Sequence, residues 1–178
     1  MPLPLFILFI LIFIPVIYAG FFGAPWVPTP KRATEKMLRL AKIKPGEKIY
    51  DLGCGDGRLI FDATEKYQAN AVGVELSPPV FAWCWLKKIL FRRKGRIIFR
   101  NFWRMDFSDA NVIFLYLLPK PLVKLQKKLD RELTPGTRVI SYAFAIGDWE
   151  PIHIEPKEEQ KNLCRVLVYE IGKNVKKC

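Results

Sequence analysis

Residues 51–57 read Asp51-Leu52-Gly53-Cys54-Gly55-Asp56-Gly57 and follow a short apolar run, Lys48-Ile49-Tyr50. A strand running into a glycine-rich turn at the start of a helix lets backbone N–H groups approach a ligand that a β-carbon would keep away. The glycines fall as G-x-G-x-G. Arg58 stands where the third glycine of a dinucleotide-binding G-x-G-x-x-G turn belongs. Two acids flank the pattern: Asp51, just before the turn, and Glu75, which ends a second apolar run, Ala71-Val72-Gly73-Val74-Glu75. An acid at the end of the second strand is where a ribose-binding carboxylate is expected. The plainer reading is a tight strand-to-helix turn without a ligand, and the agreement of turn, strand and distal acid weighs against it. Cys54, Cys84, Cys164 and Cys178 form no C-x-x-C pair, and a single histidine, His153, leaves no room for a histidine-based metal cluster. No metal is expected, and the cysteines suit a reducing compartment.

The elements that must position these residues alternate. A helix is expected over about 30–42, capped by Thr29, opened by Pro30, and carrying Ala33, Met37, Leu40 and Ala41 on one face. Lys44-Pro45-Gly46-Glu47 reads as a turn, followed by a strand at 48–52. A helix over about 58–67 buries Leu59, Ile60 and Ala63, and Ser77-Pro78-Pro79 opens another over about 79–92. In that helix Val80, Phe81, Trp83, Trp85, Leu86, Ile89, Leu90 and Phe91 leave little polar face, while Lys87, Lys88, Arg92, Arg93, Lys94 and Arg96 crowd its end. It either covers the sheet, with a basic C-terminus that suits its dipole, or docks in a membrane interface. Further strands are expected at about 96–100, 111–116, 137–142, 151–154 and 163–171, and a helix at 121–133 sets Leu122, Leu125 and Leu129 against the sheet. Alternating strands and helices imply an α/β fold, a doubly wound parallel sheet with right-handed crossovers.

The chain has 178 residues and a net charge of +12, enough for one domain. Residues 1–30 contain no charged side chain, so every Lys, Arg, Asp and Glu lies beyond them. From Leu3 to Ala24 the chain is almost wholly apolar, and as a helix it would span about 33 Å, close to the hydrocarbon thickness of a bilayer. A signal peptide would begin with a basic region, and a core helix would show a polar face; neither is visible. Residues 1–24 are therefore expected to be a retained transmembrane anchor, 25–30 a proline-rich linker and 31–178 the folded domain. Trp26 suits the interfacial belt. Lys31, Arg32, Lys36, Arg39, Lys42, Lys44 and Lys48 follow the span and no basic side chain precedes it, which places the domain on the cytoplasmic side. Tethering to an anionic leaflet accounts for part of the basic charge.

Asp51-to-Arg58 resembles motif I of class I S-adenosylmethionine-dependent methyltransferases. Pro25-Trp26-Val27-Pro28-Thr29-Pro30, Val74-Glu75-Leu76, Asn101-Phe102-Trp103 and Val112-Ile113-Phe114-Leu115-Tyr116 leading to Pro119 resemble a narrower group. These are the small membrane-targeted protein-lysine methyltransferases that act on the ATP synthase c-subunit and the adenine nucleotide translocase, with their prokaryotic relatives. The resemblance covers roughly residues 25–150. It implies a Rossmann-like sheet closed by an antiparallel strand, S-adenosyl-L-methionine as cofactor, and a protein substrate, which the anchor suggests lies in or near the membrane. It implies a cofactor site of Asp51, Gly53, Cys54, Gly55, Gly57, Glu75, Leu76, Asn101 and Phe102. Asp51 would hold the cofactor's ammonium directly or through water, Glu75 would accept from the ribose hydroxyls, and Asn101 and Phe102 would flank the adenine. Asn101 departs from the expected acid, although its carbonyl can still accept. Tyr116 and Trp103 could face the methyl-bearing cation, or simply pack at the sheet edge.

A lysine, with its pKa near 10.4, is neutral about one time in a thousand near pH 7.4. Methyl transfer to it would rest on positioning and electrostatics rather than on a strong base. Leu118-Pro119-Lys120-Pro121 lacks the polar side chain of the Asn/Asp-Pro-Pro-aromatic motif that base-amine methyltransferases share, so nucleic acid is not the expected substrate. Two rivals stay open: a methyltransferase for a lipid, quinone or other small molecule, and a non-catalytic S-adenosylmethionine-binding module.

Overall fold

A computed structural model describes residues 27–173. The expected transmembrane anchor, and Trp26 with it, lie outside these residues. Among the described residues no helix is long and apolar enough to cross a membrane.

Seven strands form one mixed sheet in the order β3-β2-β1-β4-β5-β7-β6. These are β1 (Lys48–Leu52), β2 (Asn70–Glu75), β3 (Arg96–Phe99), β4 (Val112–Leu115), β5 (Arg138–Tyr142), β6 (His153–Glu155) and β7 (Val166–Glu170). The first five run parallel, and β7 joins β5 antiparallel, with β6 antiparallel outside it. The sheet reverses direction between β1 and β4, the switch point where ligands bind in open α/β sheets. The central strands are buried along nearly their whole length, as continuous apolar runs in a two-sided sheet require.

Among the described residues four helices flank the sheet: α1 (Lys31–Leu40), α2 (Arg58–Tyr67), α3 (Pro78–Leu90) and α4 (Pro119–Glu132). Ala33 and Met37 from α1, Ala41 just past its end, and Leu59, Ile60 and Ala63 from α2 pack on one face of the sheet. Leu122, Leu125 and Leu129 of α4 pack on the other with Phe107, Trp149 and Tyr169. A 3-10 turn, Phe102–Arg104, stands between β3 and β4 where the alternation would place a helix. The connection from β5 to β6 is a loop pinned by Ile146 N–H to Tyr169 Oη (3.2 Å) and by Trp149 Nε1–H to Asp130 (3.0 Å).

The structure corrects the start of α1. Pro30, in extended conformation, is its cap residue, and no side chain caps it. Thr29 does not serve as the cap; its carbonyl instead accepts Arg58 Nη1–H at 2.5 Å. The last helix begins at Pro119, two residues before the expected start, because Pro119 and Pro121 fit a first turn that has no need of their missing N–H groups.

Gly57 shows how tightly the first turn is built. Its φ is +76°, and a β-carbon there would stand 2.5 Å from Cys84 Sγ and 2.8 Å from Phe61 Cζ. Gly136 has a similar φ of +90° but open space around it. Gly57→Ala should therefore cost about 2–4 kcal/mol, overpacking added to backbone strain, whereas Gly136→Ala should cost about 1 kcal/mol of strain alone. Urea denaturation of the two variants beside the parent checks this; equal losses would contradict the steric account.

Candidate active site

Strand β1 ends in Asp51 and Leu52, and the chain turns through Gly53-Cys54-Gly55-Asp56-Gly57 into α2. Gly53, Gly55 and Gly57 all have positive φ, at +85°, +56° and +76°. That repeated left-handed backbone is what the alternate glycines supply. Hydrogen bonds stitch the turn to the end of β2. Val74's carbonyl accepts from Gly53 N–H (2.8 Å) and Cys54 N–H (3.1 Å), and Gly57 N–H donates to Cys54's carbonyl (2.9 Å). Gly55 N–H donates to Glu75 Oε2 (3.1 Å). The turn's amides are thus largely engaged within the protein. Its contribution is close approach without β-carbons, not the rank of free N–H donors that a pyrophosphate needs.

Glu75 is fixed from three sides. Besides Gly55, the N–H groups of Leu76 (2.9 Å) and Ser77 (2.8 Å) both donate to its Oε1. A carboxylate offers about four acceptor positions, so Oε2 retains room for a hydroxyl. Cys54 and Leu76 contribute backbone here. The Cys54 side chain is buried against Gly73, whose missing β-carbon would stand 2.7 Å from its sulfur.

Asp51 differs from both neighbouring acids. The residue is nearly buried, yet its carboxylate accepts no hydrogen bond among the described residues, and no fully buried polar side-chain atom among them lacks a partner. Its oxygens therefore open onto the cleft. Burial, reinforced by the charges of Glu75 and Asp56, pushes its pKa up to about 7. Asp56 goes the other way. Burial alone would raise it, but hydrogen bonds from Arg58 and Lys87 outweigh that and hold it at about 2. Arg58 grips Asp56 through Nε (2.9 Å) and Nη2 (2.7 Å), and Lys87 Nζ reaches it from α3 at 2.8 Å. This Asp56–Arg58–Lys87 clamp was not anticipated from sequence. Its one legible sign was a third acid inside a turn followed directly by arginine.

The remaining candidates are placed as follows. Asn101 Oδ1 accepts Trp103 N–H (3.0 Å) and so caps the 3-10 turn, which leaves one lone pair and the amide N–H groups for a ligand. Phe102 and Trp103 stack at 4.9 Å, and Trp103 carries Lys124 Nζ 4.9 Å from its ring centre. Tyr116 follows β4 and packs edge-on against Tyr142, at 4.9 Å between ring centres. Tyr116 packs against the hydrophobic cluster on one face of the sheet and Trp103 against that on the other. Leu117 closes on the glycine turn, 3.7 Å from where a Gly53 β-carbon would stand.

The residues present fit S-adenosylmethionine. An open carboxylate meets its ammonium, a fixed carboxylate has an acceptor position for ribose, and the turn demands no phosphate. Sheet order, turn and acid pair define a class I S-adenosylmethionine-dependent methyltransferase. The sequence profile of the ANTKMT methyltransferase domain matches residues 51–153, and the chain belongs to that family. A Saccharolobus islandicus protein described as a protein-lysine N-methyltransferase is 37% identical over 153 residues, covering 84% of this chain and 95% of its own. The Mus musculus adenine nucleotide translocase lysine N-methyltransferase is 32% identical over 139 residues, covering 73% of this chain; this chain spans 57% of its length. A Salinibacter ruber structure, described as an RNA methyltransferase in complex with S-adenosyl-L-homocysteine, superposes with a TM-score of 0.76 at 31% identity. That match covers 85% of this chain and 98% of its own.

The raised pKa of Asp51 has a definite sign. A carboxyl at about 7 in the fold and near 3.8 when unfolded binds its proton more tightly in the native state. Stability therefore falls as pH rises from about 4 to 7, by an amount on the order of 3 kcal/mol. Asp51→Asn should remove that slope and leave the ligand-free protein more stable than the parent at pH 8, while weakening S-adenosylmethionine at least about tenfold through the lost charge pair. Urea midpoints at pH 5 and pH 8, with calorimetric titration of the cofactor, check both; a parallel slope in the variant would remove Asp51 as its source.

Proposed function

We propose that this chain is a membrane-anchored, S-adenosylmethionine-dependent methyltransferase acting on lysine side chains of a protein. The observation that carries the acceptor assignment is its match, over nearly the whole length of the relative, to the archaeal protein-lysine N-methyltransferase. The charge-free, apolar residues 3–24 support the anchor, and the basic residues that follow support a domain on the cytoplasmic side.

Geometry supports a large acceptor. The glycine turn, Leu76-Ser77 and Tyr116-Leu117-Leu118 are short segments at the C-terminal edge of the sheet, beside the longer 100–111 and 143–152 connections. A polypeptide can lay a lysine across such an edge. Bound S-adenosylmethionine supplies an electrophilic methyl on a sulfonium. Asp51 would hold the ammonium and Glu75 the ribose hydroxyls, on either side of the sulfonium, so that the methyl between them is fixed while the amine approaches. Tyr116, beside the turn, is better placed to meet that amine than Trp103, whose ring already carries Lys124. An open edge also lets the lysine's proton pass to water, so no buried base is needed.

The Salinibacter relative is described as an RNA methyltransferase, which makes RNA the second acceptor to test. Full-length protein with tritium-labelled S-adenosylmethionine and membrane extract should place label in the protein fraction, recovered as methyl-lysine after acid hydrolysis. Gly55→Arg, introducing a side chain at φ +56° inside the turn, should abolish transfer. Label confined to lipid or to RNA would overturn the lysine assignment.

A further inference from the structure

Helix α3 buries one residue, Cys84, out of thirteen. Trp83, Trp85, Leu86, Ile89, Leu90 and the adjoining Phe91 are each 41–66% exposed. Phe99, 52% exposed at the end of β3, extends the strip by packing on Phe81 at 5.4 Å. A contiguous apolar surface of this kind on a soluble domain marks an interaction site. Its surroundings are basic. Lys88, Arg92, Lys94, Arg96 and Arg100 make no salt bridge among the described residues, whereas Lys87 and Arg93 are paired inward to Asp56, Asp62 and Glu65. No acidic residue lies between Ser77 and Asn101.

The path of the chain bears on what covers this strip. Arg58 binds both Asp56 and the carbonyl of Thr29, and Lys87 of α3 binds the same Asp56. The segment arriving from the apolar residues 3–24 therefore joins the domain beside α3. A span that leaves the bilayer there delivers α3 to the bilayer surface.

We propose that the exposed face of α3 docks in the interface of an anionic bilayer. Trp83, Trp85, Leu86, Ile89, Leu90 and Phe91 enter the headgroup region, and Lys88, Arg92, Lys94, Arg96 and Arg100 meet lipid phosphates. Apolar residues with aromatic rings on one side and a basic fringe on the other are what such a boundary selects. The inference rests on the anchored reading above and adds an orientation to it: the domain lies on the membrane by a second contact, with the cofactor turn held near the surface.

The test uses full-length protein with Cys164 and Cys178 replaced by serine, Cys54 and Cys84 being buried, reconstituted into phosphatidylcholine bilayers with and without phosphatidylserine. A nitroxide goes on Leu90→Cys, or on Val123→Cys as the reference. Val123 is 52% exposed and lies on α4, on the opposite face of the sheet. In phosphatidylserine bilayers the label at 90 should collide severalfold more with lipid-soluble oxygen than with a water-soluble nickel chelate, and the label at 123 should do the reverse. Equal nickel access at the two sites overturns the proposal. So does shielding of site 90 from both agents, which would mean that another protein segment covers it. Transferase activity measured on the same samples separates the two readings: protein methylation with site 90 in water leaves the proposed function standing and removes the docking.

Discussion

The site is organised around a charge that the protein leaves uncompensated. Three carboxylates, Asp51, Asp56 and Glu75, meet where β1 and β2 end. Like charges at short range in a poorly solvated place are costly. The fold neutralises Asp56 with two cations and supports Glu75 with three backbone amides. Among the described residues nothing comparable reaches Asp51. Its carboxylate is held half-protonated near neutrality until a cation arrives. The glycines make the geometry possible by letting the backbone pass close enough for the three acids to converge. The binding site is thus a place where local stability is given up for affinity, a common arrangement at functional sites.

Much of this was legible from residue types. Parallel central strands announce themselves as apolar runs, and the G-x-G-x-G turn with acids on either side locates the switch point before any coordinates exist. The boundaries of α2 and β2 follow directly from Gly57, Arg58 and Glu75. What was not legible depended on contacts distant in sequence. Lys87 reads as one of several basic residues at a helix end, and only the placement of α3 beside the glycine turn makes it a partner of Asp56. Thr29 has the residue type of a cap, but the pull of Arg58 on its carbonyl turns it to another use. Asn101 reads as an adenine contact, and the structure shows its carbonyl also capping a turn that the helical periodicity did not announce.

The two faces of the sheet are covered unequally. Helices α1, α2 and α3 occupy one face, and α4 with the Phe102–Arg104 turn and the 143–152 loop occupies the other. The loop on the second face is tied down by Trp149 to Asp130, by Ile146 to Tyr169 and by a reciprocal pair of hydrogen bonds between Gln126 and Asp148.

Two of the attachments of helix α3, beside the packing of Phe81 on Phe99, land on the glycine turn of residues 51–57. Cys84 fills the space that Gly57 leaves open, and Lys87 reaches Asp56. The outer face of α3 is thus joined through these two side chains to the turn whose residues fit the cofactor. Thermodynamic reciprocity then applies: whatever factor an attachment at α3 imposes on cofactor affinity, the cofactor must return to that attachment. Through Cys84 and Lys87 that exchange would reach Gly57 and Asp56.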